Sequence, residues 1–204
     1  MFLLTACAPD IRDTDGDGDL DVAADTDTSD TDTSDTGDTI DTSDTEDTDD
    51  TSPPAGRITA VDEGGGVTLV EVEGTGESDF VHFDFASAGE VAATDGWELA
   101  FQRYTVRVNG GTSGDGGVEI AAIKGVAFDA VDAAPASGWR TDTGEALALD
   151  DWYDYDGATH VLTAADRVYV VRNGAGEAWK LAFVDYYDDA GNSGFPSFRW
   201  AGLE

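Results

Sequence analysis

Cysteine is almost absent from this chain: Cys7 is the single one among 204 residues. A lone cysteine cannot close an intramolecular disulfide. Methionine occurs once, at Met1, and histidine twice, at His82 and His160. Neither histidine stands in an H-E-x-x-H or other metal-ligand spacing. Basic residues are scarce as well: 10 Lys and Arg face 44 Asp and Glu, for a net charge of -34. A field of that sign repels phosphate backbones and anionic lipid heads, which disfavours nucleic acid as a partner. No apolar run reaches the roughly 18 residues of a spanning helix. Gly191-Asn192-Ser193-Gly194 lacks the last spacing of a G-x-S-x-G elbow. Carboxylates are so abundant that no pair stands out as a glycosidase dyad. The expectation is a non-catalytic protein.

What is present divides sharply. Residues 8–54 hold 18 of the acids and one base, Arg12, so the rest keeps 26 acids and 9 bases. The first part reads DTDTSDTDTSDTGDTIDTSDTEDTDDTSPP, with Asp-Thr recurring mostly every third residue. Such a segment cannot bury enough apolar surface to offset its chain entropy, and its charges repel one another. An extended, solvated spacer is expected. Within it, Asp13, Asp15, Asp17, Asp19 and Asp21 alternate around Gly18, as at the start of a calcium loop. The twelfth position, where a bidentate Glu belongs, is Ala24. Loose ion condensation rather than a specific calcium site is the expectation.

Ahead of the spacer, Leu4-Thr5-Ala6-Cys7 resembles the lipobox of bacterial lipoproteins. That resemblance implies acylation of Cys7, with residues 1–6 as the end of a signal peptide. Ala8 stands where an inner-membrane retention aspartate would be, so export to the outer membrane or cell surface of a Gram-negative bacterium is implied. The domain reading is then 1–6 signal remnant, 7–56 lipid-anchored linker and 57–204 folded domain.

From Arg57 onward the pattern is that of strands. Val67-Thr68-Leu69-Val70-Glu71-Val72 and Phe80-Val81-His82-Phe83-Asp84-Phe85 are short β-rich runs bounded by Gly, Ser and Asp. Further runs cover 118–123, 167–172, 178–187 and 197–200, with Asn-Gly and Asp-Asp-Ala-Gly turn signals between some of them. No apolar period of 3.6 persists. A single all-β, mostly antiparallel domain is expected, as a sandwich or open barrel. Trp97-Glu98-Leu99-Ala100-Phe101-Gln102-Arg103-Tyr104-Thr105-Val106-Arg107-Val108 reads as one strand whose apolar phase switches from odd to even positions. A β-bulge or bend near Gln102-Arg103 would restore one buried face.

The same stretch, continued to Asn109-Gly110-Gly111, resembles the signature of the HmuY-like family of haem-binding bacterial lipoproteins. The later runs at 168–172, 178–187 and 194–200 follow in that family's order. Membership implies a β-rich fold, a lipid anchor and, in the founding members, surface capture of haem for an outer-membrane importer. Partners would be haem or a haem-carrying protein, and an outer-membrane haem transporter. The alternative is a β-domain adhesion or scaffold lipoprotein that has lost the iron ligands.

Founding members hold iron between two histidines, and imidazole is a good axial donor. His160 is the first candidate here, because it follows the aromatic run Trp152, Tyr153 and Tyr155, which could wall a porphyrin. His82 is the second. It shares a strand face with Phe80 and Asp84, so a surface histidine beside a carboxylate is the competing reading. The two lie 78 positions apart, wider than the family's ligand pair. Arg140, Arg103 and Arg107 are the candidate donors to the haem propionates.

Overall fold

The computed structural model describes residues 56–204. Cys7, Asp13, Asp15, Asp17, Asp19 and Asp21 therefore lie outside the described residues.

Alternation of apolar side chains builds two antiparallel sheets. The larger has six strands in the order β1 (Ile58–Gly64), β2 (Val67–Val72), β12 (Ser193–Leu203), β11 (Ala178–Tyr187), β10 (Arg167–Arg172) and β7 (Glu119–Lys124). The smaller has four, in the order β4 (Gly89–Val91), β3 (Val81–Asp84), β5 (Leu99–Gln102) and β6 (Thr105–Val108). A separate hairpin pairs β8 (Tyr153–Asp156) with β9 (Val161–Ala164). The only helical element among the described residues is a 3₁₀ turn at Phe128–Ala130. The sheets pack face to face and do not close into a barrel.

Period-2 patterning decides what lies between them. On β3, Val81 and Phe83 point inward and are buried, while His82 points out. Phe83 meets Phe198 of β12 edge-to-face at 5.3 Å, and Phe101 of β5 stacks on the same ring at 5.5 Å. Phe85, just beyond β3, stacks on Trp179 of β11 at 4.7 Å. Each such ring, fully buried, stabilises by roughly 1.5–3 kcal/mol in transfer free energy.

The expected single strand at residues 97–108 is a hairpin instead. β5 and β6 pair with each other, Gln102 opposite Thr105, so the loop is only Arg103 and Tyr104. Arg103 takes φ 52°, a left-handed conformation at the first loop position that turns the chain tightly. The phase switch is real, and its cause is chain reversal: Leu99 and Phe101 going out, Val106 and Val108 coming back, all face the core.

The Trp-Glu and Asn-Gly-Gly ends of the same stretch are joined across this hairpin. Asn109 donates its amide to the Trp97 carbonyl at 2.9 Å and accepts from Gly116 N–H at 3.0 Å. A side chain at Gly110 would sit 2.2 Å from the Val118 carbonyl oxygen, and one at Gly111 only 1.9 Å from that of Asp142. Gly111 also has φ 62°, so both positions require glycine for space. Glu98 is 7% exposed and accepts the Phe85 N–H at 3.1 Å. Burial, with Asp84 nearby, holds its carboxyl above the usual range. Most of the motif is thus a staple for the fold.

A polar hub closes the far end of the core. The Asp151 carboxylate accepts from Arg140 at 2.5 Å, from Arg167 and from the Tyr169 hydroxyl at 3.1 Å. Burial alone would raise this carboxyl, but Arg140 and Arg167 outweigh it and hold it low. The Tyr169 phenol is pushed far above its ordinary value by burial and by Asp151.

Candidate functional site: the outer face of the small sheet

The register of the small sheet sets four residues in a row on its outer face. His82 pairs with Val91 on one side and Ala100 on the other, and Ala100 pairs with Arg107. Ala100 has only a methyl group where its neighbours carry long side chains. A cleft of about 420 Å³ opens over this row, with Arg57, Phe80 and Trp97 among its walls. Its size falls in the range of small-ligand sites.

His82 is half-buried, its ring edge-on to Trp97 at 4.8 Å between centroids. Burial first, and the nearby Arg57 second, lower its pKa against a weaker opposite pull from Glu90. The neutral imidazole, which can bind a metal, is the favoured form at neutral pH. Arg57 spends its backbone N–H (2.9 Å), Nε (3.0 Å) and one terminal nitrogen (2.5 Å) on the Glu90 carboxylate. Burial raises Glu90 and Arg57 more than offsets it, so its carboxylate is held low. Arg107 lies over the Phe80 ring at 4.1 Å.

His160 is placed differently. It ends the loop of the β8–β9 hairpin, exposed, with φ 59°. Its Nδ1 lies 2.6 Å from the Tyr155 hydroxyl, and Tyr155 is 54% exposed. Tyr153 lies on the same strand face and packs on Tyr104 at 6.0 Å. Tyr155 and His160 are thus brought together, but His82 belongs to another sheet. Trp152 departs from the expectation of a porphyrin wall. It is 0% exposed, packs on Phe183 at 4.5 Å and donates its indole N–H to the Tyr104 carbonyl at 2.9 Å. It is a core residue, packed against Phe183 and Tyr186 of β11.

The expected propionate donors also separate. Arg140 is committed to Asp151. Arg103 lies beside Tyr186, whose pKa burial raises against the lowering pull of the Arg103 charge, and donates its backbone N–H to Gly74 at 2.6 Å. Arg107 alone reaches the cleft that holds a histidine. The sequence reading missed Arg57, Trp97 and Ala100 as cleft residues. A small alanine between Leu99 and Phe101, two residues whose side chains face the core, was the available signal.

Residues 76–160 match the model of the family described as HmuY protein. That part of the β domain is similar to the HmuY family. Solved structures agree on the fold. A protein from Bacteroides vulgatus described as HmuY-like and heme-binding shares 17% identity at a TM-score of 0.57, over 72% of this chain and 96% of its own. The apo HmuY analog of Tannerella forsythia shares 14% at 0.53, over 72% and 97%. The apo form of PinO from Porphyromonas gingivitis shares 15% at 0.56, over 68% and 97%. No curated protein matches the chain. The HmuY-like match spans β3 to the β8–β9 loop, so it includes His82, the cleft row and His160.

Proposed function

We propose that this protein captures haem without catalysis, in the cleft on the outer face of the small sheet. The observation that carries the reading is the row His82–Ala100–Arg107. It sets a neutral imidazole, a notch and a cation within two interstrand spacings, about 10 Å. Haem needs an axial donor, apolar or aromatic walls and a cation for its carboxylates. His82 supplies the first, Trp97 and Phe80 the second and Arg107 the third. The HmuY-like family and the heme-binding description of the Bacteroides vulgatus relative support this reading.

The anchor and location belong to the same proposal. Acylated Cys7 would hold the domain to the outer membrane or cell surface through the acidic linker, without a spanning helix. Haem would come from a haem-carrying protein and pass to an outer-membrane transporter. Calcium has no part in it.

Titrating haemin into the protein tests the reading. The Soret band should sharpen and shift, His82→Ala should abolish the shift, and His160→Ala should keep most of it. The reverse pattern would move the site to the β8–β9 hairpin. Absence of any shift in the unsubstituted protein would leave the adhesion or scaffold alternative.

A further inference from the structure

The cleft has charged groups at both ends but an unpaired cation at only one, and this gives the ligand an orientation. At the end near β4, the Arg57 guanidinium is neutralised by two hydrogen bonds to the Glu90 carboxylate, and Val91, Ala92 and Ala93 line the wall beside it. At the other end stands Arg107. Arg57, Arg140, Arg167, Arg172 and Arg199 each pair with a carboxylate, whereas among the described residues Arg107 and Arg103 do not, and of these two only Arg107 lines the cleft. Its guanidinium rests 4.1 Å above the Phe80 ring, which holds it in place and leaves its N–H edges open. Asp79 lines the same end without forming an ion pair with it.

We infer that the cleft selects planar ligands that carry carboxylates on one edge, and seats that edge at Arg107 with the apolar edge toward Val91 and Ala92. The inference rests on the haem-capture reading and adds to it the orientation and the residue that sets specificity. Ala100 is itself buried, so it forms the floor between the imidazole and the guanidinium rather than a wall that would separate them. A planar guanidinium also matches a carboxylate with two parallel hydrogen bonds, which a lysine cannot do.

Haemin and its dimethyl ester distinguish the parts, titrated in the same detergent and followed at the Soret band. The unsubstituted protein should bind haemin at least tenfold more tightly than the ester. Arg107→Ala should remove about that tenfold for haemin and leave ester binding unchanged. Arg107→Lys should recover part of the loss, and Asp79→Asn should tighten haemin alone. Equal affinity for haemin and ester in the unsubstituted protein would overturn the inference while the haem reading stood. So would an unchanged haemin-to-ester ratio in Arg107→Ala. No Soret shift with either ligand would overturn both.

Discussion

His82 and Arg107 stand on one face of the small sheet with the methyl group of Ala100 between them. Ala100 is 1% exposed, so any longer side chain there must grow into the cleft or push its neighbours aside. Ala100→Leu is therefore expected to abolish haemin uptake. Overpacking of this kind costs about 1–3 kcal/mol. Circular dichroism should still report a folded β protein, with a thermal midpoint lowered by several degrees. Unchanged haemin affinity in a folded variant would place the ligand elsewhere.

Haem binding should weaken in acid, with a midpoint set by His82. Burial and Arg57 depress the pKa of this histidine, so its folded midpoint lies below the ordinary 6.5. A depressed pKa favours the neutral form in the fold. Its contribution to stability is present above the unfolded value and is lost as pH falls through the folded one. Iron and proton compete for the same nitrogen, so the Soret shift should survive at pH 6.5 and vanish at lower pH. Arg107 and Arg57 oppose the protonated ring, and Glu90 and Asp79 favour it. A midpoint above 6.5 would contradict the geometry.

Glu98 carries the opposite sign. Burial raises its pKa, so its contribution is complete below the unfolded value near 4.5 and is lost as pH rises through the folded one. At neutral pH the ionised carboxylate is a cost. Glu98→Gln keeps one acceptor for the Phe85 N–H and removes the charge. The thermal midpoint at pH 7 should rise by a few degrees, with little change at pH 4.

Asp151 ties Arg140, Arg167 and Tyr169 together. Asp151→Asn cannot serve two guanidiniums and a buried phenol at once. A loss of about 2 kcal/mol is expected in denaturant titration at pH 7, discounted because the carboxylate is partly exposed. The group's pKa is depressed, so the difference from the unsubstituted protein should shrink as pH falls through the acid range.

The anchor is tested at Cys7. Expressed behind a complete signal peptide, the unsubstituted chain should fractionate with membranes and Cys7→Ser should be soluble. Equal solubility of both, with a free thiol, would remove the lipid anchor from the proposal.

Local alternation of side chains was enough to determine that the domain is β-rich and that His82 faces away from the core. Val81, Phe83 and Phe85 had to share a face, because successive strand residues point in opposite directions. The phase switch near Gln102 was visible too. A bulge and a tight reversal produce the same switch in the sequence, so only the pairing of Gln102 with Thr105 distinguishes them. Trp152 could not be assigned from its neighbours. Tyr153 and Tyr155 follow it in one aromatic run, yet Trp152 is buried and Tyr155 is exposed. The cleft itself was decided by tertiary structure alone. His82, Ala100 and Arg107 meet because β3, β5 and β6 lie side by side in one register, and Arg57 joins them from just before β1. Strand order and register depend on contacts between residues far apart in the chain, and a local hydrophobic pattern carries no record of which strand will lie beside which.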